Sequence, residues 1–255
     1  MLIAQLTDTH ITVPEDEIGD CYVKLEALRN CVSAINKLDT APDVVIHTGD
    51  LVHNGSDEEY RLTKSIMDEL RAPYFITPGN RDSVTALIKN FSLHSYQSAE
   101  TAFFQYSTNV LGYRLIASDT STENNNLGFL DFQRLAHLDN LLNEQPERST
   151  VIFMHHPPIN LSNSEPLKHE YENYRMVENF SEIIDRNPQV VAILCGHIHR
   201  SFTGWINATP LVAVPPISRS LNRDPASYSS TPNIAFYLHA FSTKAPVNTE
   251  VIAVN

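Results

Sequence analysis

The chain has 255 residues, 42% of them hydrophobic, and 18 basic against 30 acidic side chains give a formal charge of -12. Such a length and apolar content can bury a substantial core. The acidic balance argues against nonspecific binding to nucleic acid or anionic lipid, so neither a nucleic-acid polymer nor a membrane is expected as a partner.

A strand is expected at once, in LIAQL (2–6), with no basic leader, long apolar core or small-residue cleavage site. No apolar run approaches bilayer length. Next, YVKLEALRNCVSAINKL (22–38) carries Leu25, Leu28, Val32, Ile35 and Leu38 at the three- and four-residue spacing of a helix. DVVIH (43–47) reads as a second strand, and 56–70 as a helix opened by Ser56 and early acids. Strands are expected at YFIT (74–77), RLIAS (114–118), TVIFM (150–154) and VVAILC (190–195), and helices at 131–143 and 174–186. Strand alternating with helix predicts an α/β fold.

Beyond Cys195 the pattern changes to SFTGWI, PLVAV and NIAFYLHAF, strand-like pieces without a helix among them. They predict a single domain over 1–255 in which 200–255 is the C-terminal, strand-rich part of a second, more antiparallel sheet. Two long polar stretches, 157–173 and 217–232, are expected near the substrate, because long loops in compact domains commonly carry function. Their neighbourhood offers His169, Tyr171 and Tyr174 as substrate contacts or plain surface residues. Three scattered cysteines, Cys21, Cys31 and Cys195, argue against a disulfide framework and for a reduced cytoplasmic setting. Cys195, at the end of an apolar run, reads as a small buried hydrophobe. A homo-oligomer is left open.

The ends of the apolar runs carry the chemistry. LIAQL leads to Asp8 and His10, DVVIH to Asp50, YFIT to Asn80, TVIFM to His155 and His156, and VVAILC to His197 and His199. Ligands of open α/β sheets bind at the carboxyl ends of strands, so five such segments can meet in one crevice. In the Asp-x-His and His-x-His pairs, extended backbone would point both side chains the same way. Imidazole and carboxylate donors suit manganese, iron, zinc or cobalt better than magnesium. A shared carboxylate such as Asp50 can bridge two ions about 3.5–4 Å apart. Gly49, Gly79 and Gly196 each precede a candidate ligand, where a missing side chain permits a tight turn.

The order Asp-x-His, Gly-Asp, Gly-Asn, His-His-Pro-Pro, Gly-His-x-His resembles the calcineurin-like metallophosphoesterases. More narrowly, it is similar to the bacterial class III cyclic-nucleotide phosphodiesterases and the related glycerophosphodiesterases. The resemblance runs from Leu2 to about Arg200. It implies a four-layer αββα sandwich of two mixed β-sheets and two divalent transition-metal ions, manganese, iron or zinc. By the same resemblance Asp8, His10, Asp50 and His199 hold the first ion. Asp50, as bridge, with Asn80, His155 and His197 holds the second. His156 falls outside the implied ligand set. His53, three residues after Asp50, stands where some members carry a metal-binding Tyr; it reads as a further ligand, a substrate contact or a loop residue. His47 reads as a core histidine, and His94, His137, His169 and His239 have no motif support.

One position departs from the pattern. Where these enzymes have Gly-Asn-His, this chain has Gly79-Asn80-Arg81. A guanidinium keeps its charge near neutral pH and cannot serve as a general acid, but it can hold a phosphate oxygen and stabilise developing charge. The candidate catalytic residues are therefore Arg81, Asn80 and Asp50, with His156 or His53 as proton donor. The expected activity is hydrolysis of a small phosphodiester, of cyclic-nucleotide or glycerophosphodiester type. Alternatives are a phosphomonoesterase on the same fold and a metal-binding scaffold without turnover.

Overall fold

The computed structural model describes residues 1–14, 20–92, 103–122, 125–159, 170–217, 234–242 and 245–254. His94, His169 and most of both long polar stretches lie outside them.

Two sheets face each other. The first has the order β11-β10-β1-β2-β3, where β1 is Leu2–Leu6, β2 Val44–His47, β3 Tyr74–Ile76, β10 Ala235–Ser242 and β11 Ala245–Ala253. In it β1, β2 and β3 are parallel, β10 is antiparallel to β1, and β11 is antiparallel to β10. The second sheet has the order β4-β5-β6-β7-β9-β8, with β4 Tyr106–Val110, β5 Tyr113–Ser118, β6 Thr150–Met154, β7 Val190–Cys195, β8 Phe202–Ile206 and β9 Thr209–Ala213. β5, β6, β7 and β9 are parallel, with β4 and β8 antiparallel at the edges.

The period of two in the central strands makes the layers. Leu115, Ala117, Val151, Phe153, Ala192 and Leu194 point into one core shared with the first sheet. Their neighbours Ile116, Ile152, Met154, Ile193 and Cys195 point into a second core. Helices α1 (Cys21–Asn36), α2 (Asp57–Met67) and α3 (Val84–Phe91) contribute to the first core. Helices α4 (Phe132–Glu144) and α5 (Tyr174–Asp185) close the second, through residues such as Leu138, Leu142 and Phe180. Helices outside two mixed sheets are the αββα sandwich expected. Helix α2 begins as its sequence dictates: the Ser56 side chain accepts from the Glu59 N–H, and the Glu59 side chain from the Ser56 N–H.

The C-terminal expectation is corrected in part. Only β8 and β9 join the second sheet; β10 and β11 return to the first, where β10 pairs with β1 (Ile3 opposite His239). α3 and β4 were not foreseen. Cys195 is fully buried among apolar neighbours, and burial pushes its thiol pKa well up. All three cysteines are buried, and none forms a disulfide. Among the described residues no helix is long and apolar enough to cross a membrane.

Candidate metal centre

All seven candidate ligands meet at the carboxyl ends of β1, β2, β3, β6 and β7. Backbone conformation turns them inward. Asp8, His10, Asp50, His197 and His199 have φ of 52°, 44°, 52°, 69° and 53°, so among the described residues five of the eight non-glycine residues at positive φ belong to this cluster. Left-handed conformations of non-glycine residues are uncommon and cost of order 1–3 kcal/mol each, so the surrounding fold must impose them. The Asp-x-His and His-x-His pairs thus converge through left-handed turns and not through strand alternation, a correction to the extended geometry expected.

Two of the preceding glycines serve close approach. A Cβ on Gly79 would lie 2.2 Å from Asp50 Oδ1, and one on Gly196 would lie 2.0 Å from Thr7 Oγ1 and 2.6 Å from Asp8 Oδ2. Any side chain at either place would push a candidate ligand out of position.

The donors form two sets around Asp50. In the first, His199 Nε2 lies 3.1 Å from both Asp8 Oδ1 and His10 Nε2. His10 Nε2 lies 3.6 Å from Asp8 Oδ1 and 3.5 Å from Asp50 Oδ2. In the second, His155 Nε2 is 3.5 Å from the same Asp50 Oδ2, 3.1 Å from Asn80 Oδ1 and 3.2 Å from His197 Nδ1. Asn80 Oδ1 and His197 Nδ1 are 3.1 Å apart.

In five of the seven side chains the other polar atom is anchored, which decides what faces inward. Asp50 Oδ1 accepts from the Arg81 N–H at 2.8 Å, and Asp8 Oδ2 accepts from Thr7 Oγ1 at 2.6 Å and the His197 N–H at 3.0 Å. His155 Nδ1 donates to the Thr48 carbonyl at 2.8 Å, leaving the Nε2 lone pair inward. Asn80 Nδ2 donates to Asn126 Oδ1 at 3.2 Å, which turns Asn80 Oδ1 inward. The His197 Nε2–H meets Glu170 Oε2 at 2.8 Å, leaving Nδ1 inward. With His155 neutral, Asp50 Oδ2, Asn80 Oδ1, His155 Nε2 and His197 Nδ1 converge as acceptors. Such a set repels itself unless positive charge enters, and that donor chemistry fits a divalent cation.

The electrostatics agree. Burial works against ionisation of Asp8, but His199, His10 and His155 more than offset it and hold the carboxyl well below its usual range. Burial likewise opposes ionisation of Asp50, and His155 and His10 reverse the effect. For His155, burial pulls the pKa down, but Asp50 and Asp8 raise it to about 9. Two buried carboxylates thus demand a cation among the imidazoles.

The remaining candidates fall around this cluster. His156 is fully buried against His197, their ring centroids 4.2 Å apart. Its Nε2 donates to the Asn126 carbonyl at 3.2 Å, and its Nδ1 accepts from Thr120 Oγ1 at 2.8 Å. Burial, His197 and His155 lower its pKa well below that of a free imidazole. With both nitrogens engaged and no surface, the ring is badly placed to protonate a leaving group, which corrects that expectation. Arg81 is exposed and lines a polar cleft of about 920 Å³ beside the cluster, with His53, Asn54, Ser121, Asn125 and Asn126. The His53 ring is half-buried, 5.8 Å from that of His10, and burial with the His10 and Arg81 charges lowers its pKa.

Elsewhere, His47 is a core histidine whose Nε2 lies 3.2 Å from Thr9 Oγ1. His239 is held between Gln5 and Thr249, and His137 lies against Gln105. Tyr171 is no substrate contact: it is 2% exposed and donates to the His156 carbonyl at 2.8 Å. Sequence reasoning missed Asn126 and Glu170. Neither carries a local motif; both are brought in by an isolated parallel bridge between Gly128 and Tyr171.

The family profile of the calcineurin-like phosphoesterases matches residues 1–201 of the chain. The chain is 32% identical over 222 residues to the probable glycerophosphodiester phosphodiesterase GpdQ of Arcobacter nitrofigilis, covering 85% of this chain and 78% of the relative. It is 26% identical over 213 residues to the 3',5'-cyclic adenosine monophosphate phosphodiesterase CpdA of Escherichia coli K12, with 84% and 74% covered. The fold is similar to that of a dimetal phosphatase from Danio rerio, with a TM-score of 0.72, 12% identity and 98% of each chain covered.

Proposed function

The chain belongs to the calcineurin-like phosphoesterases, and from that premise we propose that it is a two-metal phosphodiesterase acting on small diesters. The observation that carries this reading is the pair of donor sets sharing Asp50 Oδ2, set beside a polar cleft that presents Arg81.

Asp8, His10, His199 and Asp50 are assigned to the first ion, and Asp50, Asn80, His155 and His197 to the second. The nitrogen and oxygen donors, with no thiolate among them, favour manganese, iron or zinc. When bound, the two ions supply an activated water nucleophile at neutral pH and neutralise charge on the phosphoryl group. The protein's own part begins with Asp50, whose Oδ1 is tied to the Arg81 N–H, which leaves Oδ2 facing both His10 and His155, where it would serve both ions. Arg81, whose side chain opens on the cleft, holds a non-bridging phosphate oxygen and counters the charge that grows there. His53 is the imidazole lining the described cleft. It is assigned the proton for the leaving alkoxide; its lowered pKa leaves less of the ring protonated near neutral pH, so this help should grow as the pH falls.

The substrate class follows from likeness and lining together. Both relatives above are diesterases by name, which supports a diester over a monoester. Amides and hydroxyls from Asn54, Asn125, Asn126, Ser121 and Thr122 line the cleft, and such groups suit a glycerol-type or charged substituent. A cyclic nucleotide is the second reading, favoured by the likeness to the CpdA enzyme. The three buried cysteines, none in a disulfide, support the cytoplasmic setting.

The test is kcat/KM of manganese-reconstituted protein for bis(p-nitrophenyl) phosphate against p-nitrophenyl phosphate, followed by glycerophosphoethanolamine against 3',5'-cyclic AMP. Preference for the diester, and then for the glycerol compound, is expected. Turnover of the monoester alone would reverse the assignment.

A further inference from the structure

We infer that Glu170 is a positioning residue that fixes the tautomer and ring orientation of His197, and so the affinity of the second metal position. The inference rests on the metal assignment above.

The backbone of His197 is already held: its φ is 69° and its N–H donates to Asp8 Oδ2 at 3.0 Å. The ring retains rotation about Cβ–Cγ and a choice of two tautomers. His155 resolves the same choice inside the core, with its Nδ1–H on the Thr48 carbonyl. His197 has no such core partner for Nε2; the contact comes from Glu170 Oε2, at 2.8 Å, with the two side chains 16% and 14% exposed.

A carboxylate accepts and cannot donate, so the proton must sit on Nε2 and the lone pair on Nδ1. That lone pair faces Asn80 Oδ1 at 3.1 Å and His155 Nε2 at 3.2 Å. The opposite tautomer would point an N–H into the ligand set, and a turned ring would present carbon. Glu170 is itself well held. Its carbonyl accepts from the Gly128 N–H at 2.7 Å, the Glu172 N–H returns to the Gly128 carbonyl at 3.3 Å, and Tyr171 between them is anchored on the His156 carbonyl. Carboxylate partners of ligating histidines typically contribute 10- to 100-fold in metal affinity.

The experiment titrates Mn²⁺ into chelated wild type, Glu170→Ala and Glu170→Gln by calorimetry. Imidazole ¹⁵N resonances of the Zn²⁺-loaded proteins report which nitrogen of His197 carries the proton. Wild type is expected to bind two equivalents with His197 protonated on Nε2. In Glu170→Ala the first equivalent should bind as in wild type and the second roughly 10- to 100-fold more weakly. Glu170→Gln, whose amide oxygen can still accept, should recover part of that loss. Two wild-type affinities in Glu170→Ala would overturn the inference, as would equal weakening of both equivalents, which would make Glu170 a purely structural residue. Failure of wild type itself to bind two ions would instead overturn the metal assignment.

Discussion

The backbone N–H of Arg81 donates to Oδ1 of Asp50 at 2.8 Å, so the loop that presents the guanidinium is fastened to the carboxylate shared by both metal positions. The fastening uses the backbone, and the side chain is left to the cleft. Metal binding and phosphate contact are thereby separable by mutation.

Arg81→Ala should keep two metal equivalents and lose kcat/KM by roughly 10- to 150-fold, the equivalent of a charge-assisted hydrogen bond of about 1.5–3 kcal/mol. Arg81→His should split by leaving group: a rate held or raised for alkoxide diesters, where a proton donor helps, and a loss for nitrophenyl esters, which need none. Metal analysis with kcat/KM on both substrate types checks this. Equal losses on both would contradict the fixed-charge role.

Asp82, the next residue but one after Asn80, has a different task. Its Oδ2 accepts from the Leu51 and Gly79 N–H groups at 3.2 and 2.9 Å, and its Oδ1 from Val52 N–H and Tyr60 Oη at 3.3 and 3.0 Å. The carboxylate thus pins the Asn80 loop to the Asp50 loop. Asp82→Ala leaves these donors without their acceptor and should destabilise the chelated protein by about 3 kcal/mol or more, at about 1–3 kcal/mol per buried unsatisfied group. Tyr60→Phe should cost about 1 kcal/mol. Urea unfolding of both variants is the measurement; a near-neutral Asp82→Ala would contradict the role.

Metal loading should release a proton at neutral pH. His155 is raised to about 9 by Asp50 in the absence of a cation, so it carries a proton at pH 7, and a ligand must give that proton up. Asp8 and Asp50, held low, have none to release. Calorimetric titration in two buffers of different ionisation enthalpy should show about one proton released at pH 7, falling away as the pH passes 9. Release of none would place the ligand proton elsewhere.

His239, remote from this cluster, should make stability fall in acid. Burial lowers its pKa from 6.5 to about 3. Above pH 6.5 it is neutral folded and unfolded and contributes no slope. Between 6.5 and 3 only the unfolded chain takes the proton, so stability is lost as pH falls, by about 1.4 kcal/mol per pH unit. His239→Gln should flatten the pH dependence of chelated protein by that amount; an unchanged slope between pH 6 and 4 would contradict it.

What the sequence made legible follows from where the signal is local. β1, β6 and β7 have the bounds expected, because strands buried on both faces read as continuous apolar runs. β4, YSTNV, is an edge strand with only Tyr106 fully buried, and its polar pattern hides it. The placement of β10 beside β1 depends on pairing Ile3 with His239 across the whole chain, which no local pattern encodes. The seven ligand candidates were readable because each sits in a fixed place after a strand. Asn126 and Glu170 reach those ligands only through the Gly128–Tyr171 bridge, a tertiary contact.

The central claim, a catalytic pair of ions held on Asp50, is tested most directly by adding Mn²⁺ in measured equivalents to exhaustively chelated protein while following bis(p-nitrophenyl) phosphate hydrolysis. The account predicts no turnover without metal and a rate that rises to its plateau at two equivalents per chain, with Asp50→Ala failing to reach it. Full turnover by metal-free protein, or a plateau at two equivalents in Asp50→Ala, would contradict it.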